Sequence, residues 1–298
     1  MPASQAPRGS FGGGPDYGGG GAAQFALPSM TPVTKRLIIA CAAIQAIFVV
    51  LSLTQPAVAG GIADWFSVNP NIWADFKAPA LWQFVTYGFL HNPGSIWHLF
   101  WNMLQLYFFG TLLESILGSR RFAHVYFGAL ATGGVMHLAA ELIGGRGPAP
   151  LGGLGGYSPV IGASGAVMGV IVACAVLRPH TKVLLIFIPI SLWVLAAALV
   201  TIDFISEVQS WKTGEHSYVA HWAHLGGALF GGLVAWRGWI WIDWGERFAK
   251  KREAKQVETQ RNDAQRLDEL LAKVHREGIQ ALSKAERDFL NRMSSRKG

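Results

Sequence analysis

Residues 162–169 read GASGAVMG, and they open an apolar stretch that continues to Leu177. Small residues at this density let one helix pack closely against another inside a membrane. A single hydroxyl, that of Ser164, lies among them. Ser164 is therefore either a packing residue or a reactive group, and the choice depends on which polar side chains share its depth in the bilayer.

The composition indicates a membrane protein. Of the 298 residues, 51% are hydrophobic and 14% are charged, whereas a soluble domain has about 25% charged residues. The net charge is +7, and residues 246–298 hold 14 Lys and Arg against 9 Asp and Glu. Because acidic residues interleave with the basic ones, nucleic acid is not an expected partner, and a solvated tail beside anionic lipid is favoured.

Six apolar segments have the length that a membrane-spanning helix needs. They lie near residues 37–56, 96–117, 122–143, 160–178, 182–202 and 220–241. An even number of spans puts both termini on one side. Seven Lys and Arg flank that side and three flank the other, so the positive-inside rule predicts cytoplasmic termini. The predicted fold class is an all-α membrane protein with six transmembrane helices.

The sequence divides into three predicted regions. Residues 1–32 are Gly-rich and are expected to be disordered, residues 33–245 form the membrane domain, and residues 246–298 form a basic helical tail. Within the membrane domain, the long loop 57–95 is rich in Trp and Phe, which is typical of partial immersion at the headgroup level. The tail predicts two short helices, with Gly278 ending the first and a capping box at Ser283 and Glu286 opening the second.

Four polar side chains from three spans are predicted to lie at the same depth. Ser164 is about four residues inside the outer end of span 4, and His224 lies at a similar depth in span 6. His98 and Asn102 share a face at the outer end of span 2 because they are four residues apart. The pairs Gly165–Gly169 and Gly227–Gly231 have the spacing of close-packing motifs, which predicts that Ser164 meets His224.

This set of residues predicts a serine nucleophile. A serine hydroxyl needs an adjacent general base before it can attack a carbonyl, and histidine has a suitable pKa. The Ser164 backbone N–H, Asn102 and His98 are candidate donors to the oxyanion. Neither Glu141 nor Asp203, at outer helix ends, has a motif tying it to His224, so a Ser164–His224 dyad is predicted.

Four motifs in order resemble the rhomboid family of intramembrane serine proteases, over about residues 80–240. They are His98-x-x-x-Asn102, Glu114-x-x-x-Gly118-Ser119, Gly162-Ala-Ser-Gly165 and Ala223-His224-x-x-Gly227-x-x-x-Gly231. Two positions depart from the family pattern. Its Trp-Arg pair reads Trp82-Gln83 here, and Met168 stands where an aromatic residue often stacks on the histidine.

The resemblance implies a rhomboid-like bundle that cleaves single-span membrane proteins near the outer surface of the bilayer. It assigns Ser164 as nucleophile, His224 as base, and Asn102 and His98 as oxyanion donors, with no cofactor. The tail at residues 246–298 also resembles a short helical extension found after some bacterial rhomboids, which implies a bacterial inner membrane.

Several alternatives remain open from the sequence. Ser164 alone would more often be a helix-packing residue. His221 and His224 have a spacing that suits a metal, yet no third ligand has a clear spacing, so no metal site is predicted; Cys41 and Cys174 lie far apart in apolar runs and add none. A proteolytically inactive rhomboid-like adaptor that binds membrane protein clients is the main alternative function. A transporter is disfavoured because no internal repeat is visible.

Overall fold

The computed structural model describes residues 28–75, 80–143, 159–185, 188–213, 220–241 and 244–295. The predicted disordered segment 1–32 therefore lies almost entirely outside the described residues. The described chain is mostly helical and forms two compact units, residues 1–236 and residues 237–298. Three helices are long and apolar enough to cross a membrane within the described ranges, namely Pro32–Thr54, Ser119–Ile143 and Leu192–Ser210.

The helices of the first unit follow the predicted spans closely in three places. Helix α1 is Pro32–Thr54. The region of the second predicted span contains α5 (Ile96–Gln105), a π-helical segment (Leu106–Gly110) and α6 (Thr111–Leu117), and that of the third contains α7 (Ser119–Ile143). Helix α8 (Ser164–Leu177) and helix α10 (His221–Trp236) lie within the fourth and sixth predicted segments. The predicted membrane-interface loop contains short helices, α2 (Pro56–Phe66), α3 (Pro70–Asp75), α4 (Gln83–Thr86) and a 3₁₀ turn at Tyr87–Phe89.

The fifth span was predicted about ten residues too early. Residues 182–191 form an antiparallel hairpin of β1 (Lys182–Leu185) and β2 (Ile188–Ser191), in which Lys182 pairs with Ser191. Helix α9 follows as Leu192–Thr213. Apolarity alone cannot separate a short buried strand from a helix, and Val183, Ile188 and Ile190 are β-branched residues that favour strands. Asp203 consequently lies in the middle of a helix rather than at its end.

Glu114, on α6, forms hydrogen bonds with residues at the start of α1. Its carboxylate accepts hydrogen bonds from the backbone N–H groups of Val33 and Thr34, both at 2.9 Å, and from the Thr31 hydroxyl at 2.5 Å. The Ser119 hydroxyl at the start of α7 donates to it as well, at 2.6 Å. One buried carboxylate thus caps the N-terminus of α1, where negative charge is stabilising, and also binds the first side chain of α7.

Replacing Glu114 with alanine should lower the free energy of unfolding by about 2–4 kcal/mol, because the buried donors that it satisfies would lose their partner. Denaturant unfolding of the purified protein in detergent measures this. Ser115→Ala is the matched control, since the Ser115 hydroxyl is exposed and bonds only the Leu112 carbonyl of its own helix. Equal stability of the two variants would contradict the capping role.

The second unit contains α11 (Trp244–Glu277), a 3₁₀ turn (Ile279–Ala281) and α12 (Lys284–Ser295). Helix α11 extends well before residue 264, where the apolar stripe of the first predicted tail helix begins. The predicted end signals are present: Gly278 has φ of 81°, and Ser283 and Glu286 exchange hydrogen bonds as a capping box. The Ser283 backbone and hydroxyl groups, together with Lys273, lower the pKa of Glu286 to about 2. Leu270, Leu282 and Phe289 form the small core of this unit.

Candidate active site

The loop between α1 and α5 fixes the position of Ser164, which is the first residue of α8. Val160 and Val68 exchange two backbone hydrogen bonds of 3.0 and 3.1 Å, and the Gly162 N–H donates to the Tyr87 carbonyl at 2.9 Å. Gly162 has φ of 119°, a conformation that favours glycine. The first N–H groups of a helix have no carbonyl partner within it, so the Ser164 N–H points out of the helix end as a donor.

His224 faces Ser164 from the first turn of α10. Its Nε2 lies 2.7 Å from Ser164 Oγ. The glycine motifs explain this approach: a Cβ atom added to Gly227 would overlap the carbonyl oxygen of Gly165, and one added to Gly231 would overlap that of Gly169. Helices α8 and α10 thus pack backbone against backbone, as the two close-packing motifs predicted.

His98 directs one ring nitrogen toward the space beside Ser164. The Asn92 backbone N–H donates to His98 Nδ1 at 3.2 Å, so in the neutral ring the proton lies on Nε2. A Cβ atom added to Gly162 would lie 2.7 Å from this Nε2 and 3.9 Å from Ser164 Oγ. The absent side chain at Gly162 therefore leaves room between His98 and the hydroxyl.

Asn102 is buried one turn below His98. One of its two Nδ2 hydrogens is donated to the His98 carbonyl at 2.7 Å. An amide nitrogen carries two hydrogens, so a second donor is left over. The Oδ1 atom has no hydrogen-bond partner within the described part of the chain.

A cavity of about 180 Å³ brings these groups together between four helices. Its walls come from α5, α8, α9 and α10: Trp101, Asn102, Gln105, Ser164, Met168, Leu199, Ile202, Asp203 and His224. Met168 contributes an apolar wall at the position where the family often has an aromatic residue. Residues of α5 and α9 form two of the walls.

Asp203 and His221 also belong to this site, and the sequence did not assign them to it. Asp203 Oδ1 lies 3.0 Å from His224 Nδ1 and 2.6 Å from His221 Nδ1, and Oδ2 lies 3.1 Å from His224 Nδ1. The prediction that no carboxylate accompanies the Ser164–His224 pair is therefore wrong, because the Asp203 carboxylate lies within hydrogen-bond distance of His224. An ionisable residue within an apolar span is a signal that could have identified Asp203, but the span was predicted to end at residue 202.

The same three residues form the group that could hold a metal ion. Asp203, His221 and His224 place donor atoms within 4.8 Å of one another. Asp203 would supply the third ligand for which the sequence gave no spacing. Two histidines and one carboxylate are a ligand set that zinc accepts.

Gln83 stands where the family has the arginine of its Trp-Arg pair, and hydrogen bonds from both Trp82 and Gln83 still anchor the loop between α1 and α5. Gln83 is fully buried, and its side chain accepts from the Trp73 indole N–H at 2.8 Å and donates to the Trp65 carbonyl at 3.3 Å. The Trp82 indole N–H donates to the same carbonyl at 2.9 Å. An amide can both donate and accept, so glutamine here connects two parts of the loop that holds Ser164 in place.

Two family models match the chain. One is described as a rhomboid domain and covers residues 78–240, and the other is a family of unknown function, DUF6576, which covers residues 250–296.

Curated relatives include the mitochondrial presenilin-associated rhomboid-like protein of Rattus norvegicus, 29% identical over 200 residues, which are 61% of this chain and 48% of that protein. The mitochondrial rhomboid protein 1 of Saccharomyces cerevisiae is 33% identical over 185 residues, which are 57% of this chain and 50% of that protein. The chain spans about half the length of the curated relatives it matches.

The names of these relatives are those of mitochondrial proteins, which disagrees with the expectation of a bacterial inner membrane. The rhomboid match and the three apolar helices support an integral, multi-pass membrane protein. The rhomboid model covers more than half of the chain, including all four motifs and the Ser164–His224 pair. This chain therefore belongs to the rhomboid family.

Proposed function

We propose that the chain is an intramembrane serine endopeptidase with Ser164 as nucleophile and His224 as general base. The observation that carries this proposal is the 2.7 Å separation of Ser164 Oγ and His224 Nε2 at the wall of a small cavity that both polar and apolar side chains line. A serine hydroxyl in hydrogen-bond contact with an imidazole is the arrangement that nucleophilic acyl transfer needs. A packing serine would need no such partner.

The reaction follows from this contact. As Ser164 Oγ bonds to the scissile carbonyl carbon, its proton passes to His224 Nε2 and the carbonyl electrons move onto oxygen. The C–N bond then breaks, the leaving nitrogen takes the proton from His224, and an acyl-enzyme remains. Water then attacks the ester carbon while His224 accepts one of its protons; the bond between this carbon and Ser164 Oγ breaks, and His224 returns the proton to Oγ, which releases the new carboxyl terminus and restores the serine.

Three groups around Ser164 support a role in stabilising the oxyanion: the Ser164 backbone N–H, the second Nδ2 hydrogen of Asn102 and the Nε2–H of His98. Donors fixed in place before the reaction stabilise the charge that develops on the carbonyl oxygen. Asn102 and Ser164 line the cavity, and His98 Nε2 lies on the other side of Gly162 from the Ser164 hydroxyl.

The substrates that suit this site are single-span membrane proteins. In the proposed topology of six spans with both termini in the cytoplasm, Ser164 lies in the outer third of the bilayer. A substrate helix arrives from lipid with its backbone groups already paired, so its scissile bond becomes accessible only after local unwinding. Gly or Pro in the outer third of a substrate span should favour cleavage, because both lower the cost of unwinding.

Labelling with a fluorophosphonate probe tests the proposal. The probe reacts with an activated serine, so the labelled peptide should contain Ser164 and the labelled protein should no longer cleave a membrane substrate. The alternative, an inactive adaptor that binds membrane protein clients, predicts no labelling and unchanged client binding after exposure to the probe.

Asn102→Ala should lower kcat by about 10²- to 10³-fold while KM changes little, because an oxyanion donor acts mainly in the transition state. Steady-state cleavage of a single-span substrate in proteoliposomes measures both constants. Gln105→Ala removes a polar side chain from the same cavity wall and should cost less than about tenfold in kcat. An effect of Asn102→Ala confined to KM would assign this residue to substrate binding instead.

A further inference from the structure

The Asp203 carboxylate bridges two histidines that lie three residues apart on α10. Asp203 is buried on α9, with 6% of its surface exposed, and His221 is also buried. One carboxylate oxygen lies within hydrogen-bond distance of both Nδ1 atoms, 2.6 Å from that of His221 and 3.0 Å from that of His224. The second oxygen lies 3.1 Å from His224 Nδ1. Asp203 therefore meets the ring edge of His224 that faces away from Ser164.

This contact selects the tautomer of His224. An ionised carboxylate has no hydrogen to donate, so a ring nitrogen facing it must carry the proton. A neutral imidazole has one N–H, and with that proton on Nδ1 the Nε2 atom keeps its lone pair. Nε2 is the atom that lies 2.7 Å from Ser164 Oγ. The carboxylate thus leaves the lone pair of His224 directed at the hydroxyl.

We propose that Asp203 is a positioning residue for the Ser164–His224 reaction and that His221 holds Asp203 in place; this inference rests on the proposed function. Asp203 fixes the base in the tautomer that accepts the serine proton. It also stands beside the positive charge that His224 acquires when that proton arrives. His221, the first residue of α10, contacts the same carboxylate, so the carboxylate cannot turn away from His224 without losing a second hydrogen bond.

Asp203→Asn tests the tautomer directly, because an amide can present a donor to Nδ1 and so favour the proton on Nε2. We expect kcat to fall by at least about 10²-fold with KM nearly unchanged, as a base in the wrong tautomer cannot take the proton. In a His224→Ala background, Asp203→Asn should cause no further loss in the rate of fluorophosphonate labelling, since the residue that it positions is gone. Asp203→Glu, which keeps the carboxylate, should recover part of the rate.

Glu207→Gln is the matched control. Glu207 is a buried carboxylate on α9, four residues after Asp203 and therefore on the same face. Its neutralisation should leave kcat and KM unchanged. A kcat for Asp203→Asn equal to that of Glu207→Gln, with both proteins folded, overturns the proposal, and so does a loss that appears only in KM.

Two further measurements test the role of Asp203 without relying on the Asp203→Asn variant. If Asp203→Asn does not fold, ¹⁵N-histidine spectra of the unsubstituted chain decide: a protonated Nδ1 on His224 supports the proposal, and a protonated Nε2 with a bare Nδ1 overturns it. Cleavage that is lost in EDTA and restored by Zn²⁺ would also overturn it, since Asp203 would then be a metal ligand.

If Ser164→Ala still cleaves substrate, the proposed function fails; if Ser164→Ala is inactive and Asp203→Asn behaves normally, only the positioning role fails.

Discussion

Replacing Ser164 with alanine should reduce the rate of peptide-bond cleavage by about 10⁶-fold, because the reaction loses the atom that bonds to the substrate. His224→Ala should have an effect of similar size, since without the base the hydroxyl keeps its proton. The two residues act as one unit, so the double variant should be no slower than either single variant. Mass spectrometry of products from a single-span substrate in proteoliposomes measures the residual rates.

Each of these variants should remain folded. Ser164 and His224 border a cavity, so their truncation enlarges an existing space; His224→Ala also removes the contact with Asp203, which keeps its hydrogen bond to His221. Unfolding temperatures close to that of the unsubstituted protein would show that a lost rate reflects chemistry. A Ser164→Ala protein that cleaves at the original rate would end the serine-protease proposal, and a double variant much slower than both singles would mean that the two residues act separately.

Gly227→Ala should reduce cleavage by at least about 10³-fold without altering any polar group of the site. Its new methyl group would overlap the Gly165 carbonyl oxygen, and backbone cannot turn aside as a side chain can. Helices α8 and α10 would have to separate, which breaks the contact between Ser164 and His224. A displacement of about 1 Å at a catalytic group already costs about 10²-fold in rate.

Gly232→Ala is the control on the same helix. A methyl group there would lie 3.1 Å from a side-chain methyl of Val172, which can move by changing its rotamer. Cleavage by this variant should stay within about tenfold of the original rate. Comparable losses for Gly227→Ala and Gly232→Ala would mean that the close backbone contact is not what sets the Ser164–His224 distance.

The helical framework could be predicted because apolar length and glycine spacing are local properties of the sequence. Helices were predicted at residues 96–117 and 160–178 from continuous apolar runs, and the Gly165–Gly169 and Gly227–Gly231 spacings indicated which two helices approach closely. The hairpin at residues 182–191 could not be found in this way, since a short apolar run satisfies both a strand and a helix.

The candidate site was predictable only where its residues belong to recognisable spacings. Ser164, His98, Asn102 and His224 lie together in the structure, as their matched depths indicated. Asp203 could not be added, because its contact with His224 depends on the register of α9. That register is determined by where the hairpin ends, which is a tertiary feature.

The π-helical segment Leu106–Gly110 determines which way the side chains of α5 face relative to those of α6. A π-turn takes up one residue more than an α-turn, and each α-helical residue turns the chain by about 100°. Deleting one residue from this segment would therefore rotate Asn102 by about 100° relative to Glu114, although neither residue had been touched. One of them would then face away from its partners. A relative that lacks one of these five residues would therefore place Asn102 or Glu114 differently, even if its sequence retains both side chains.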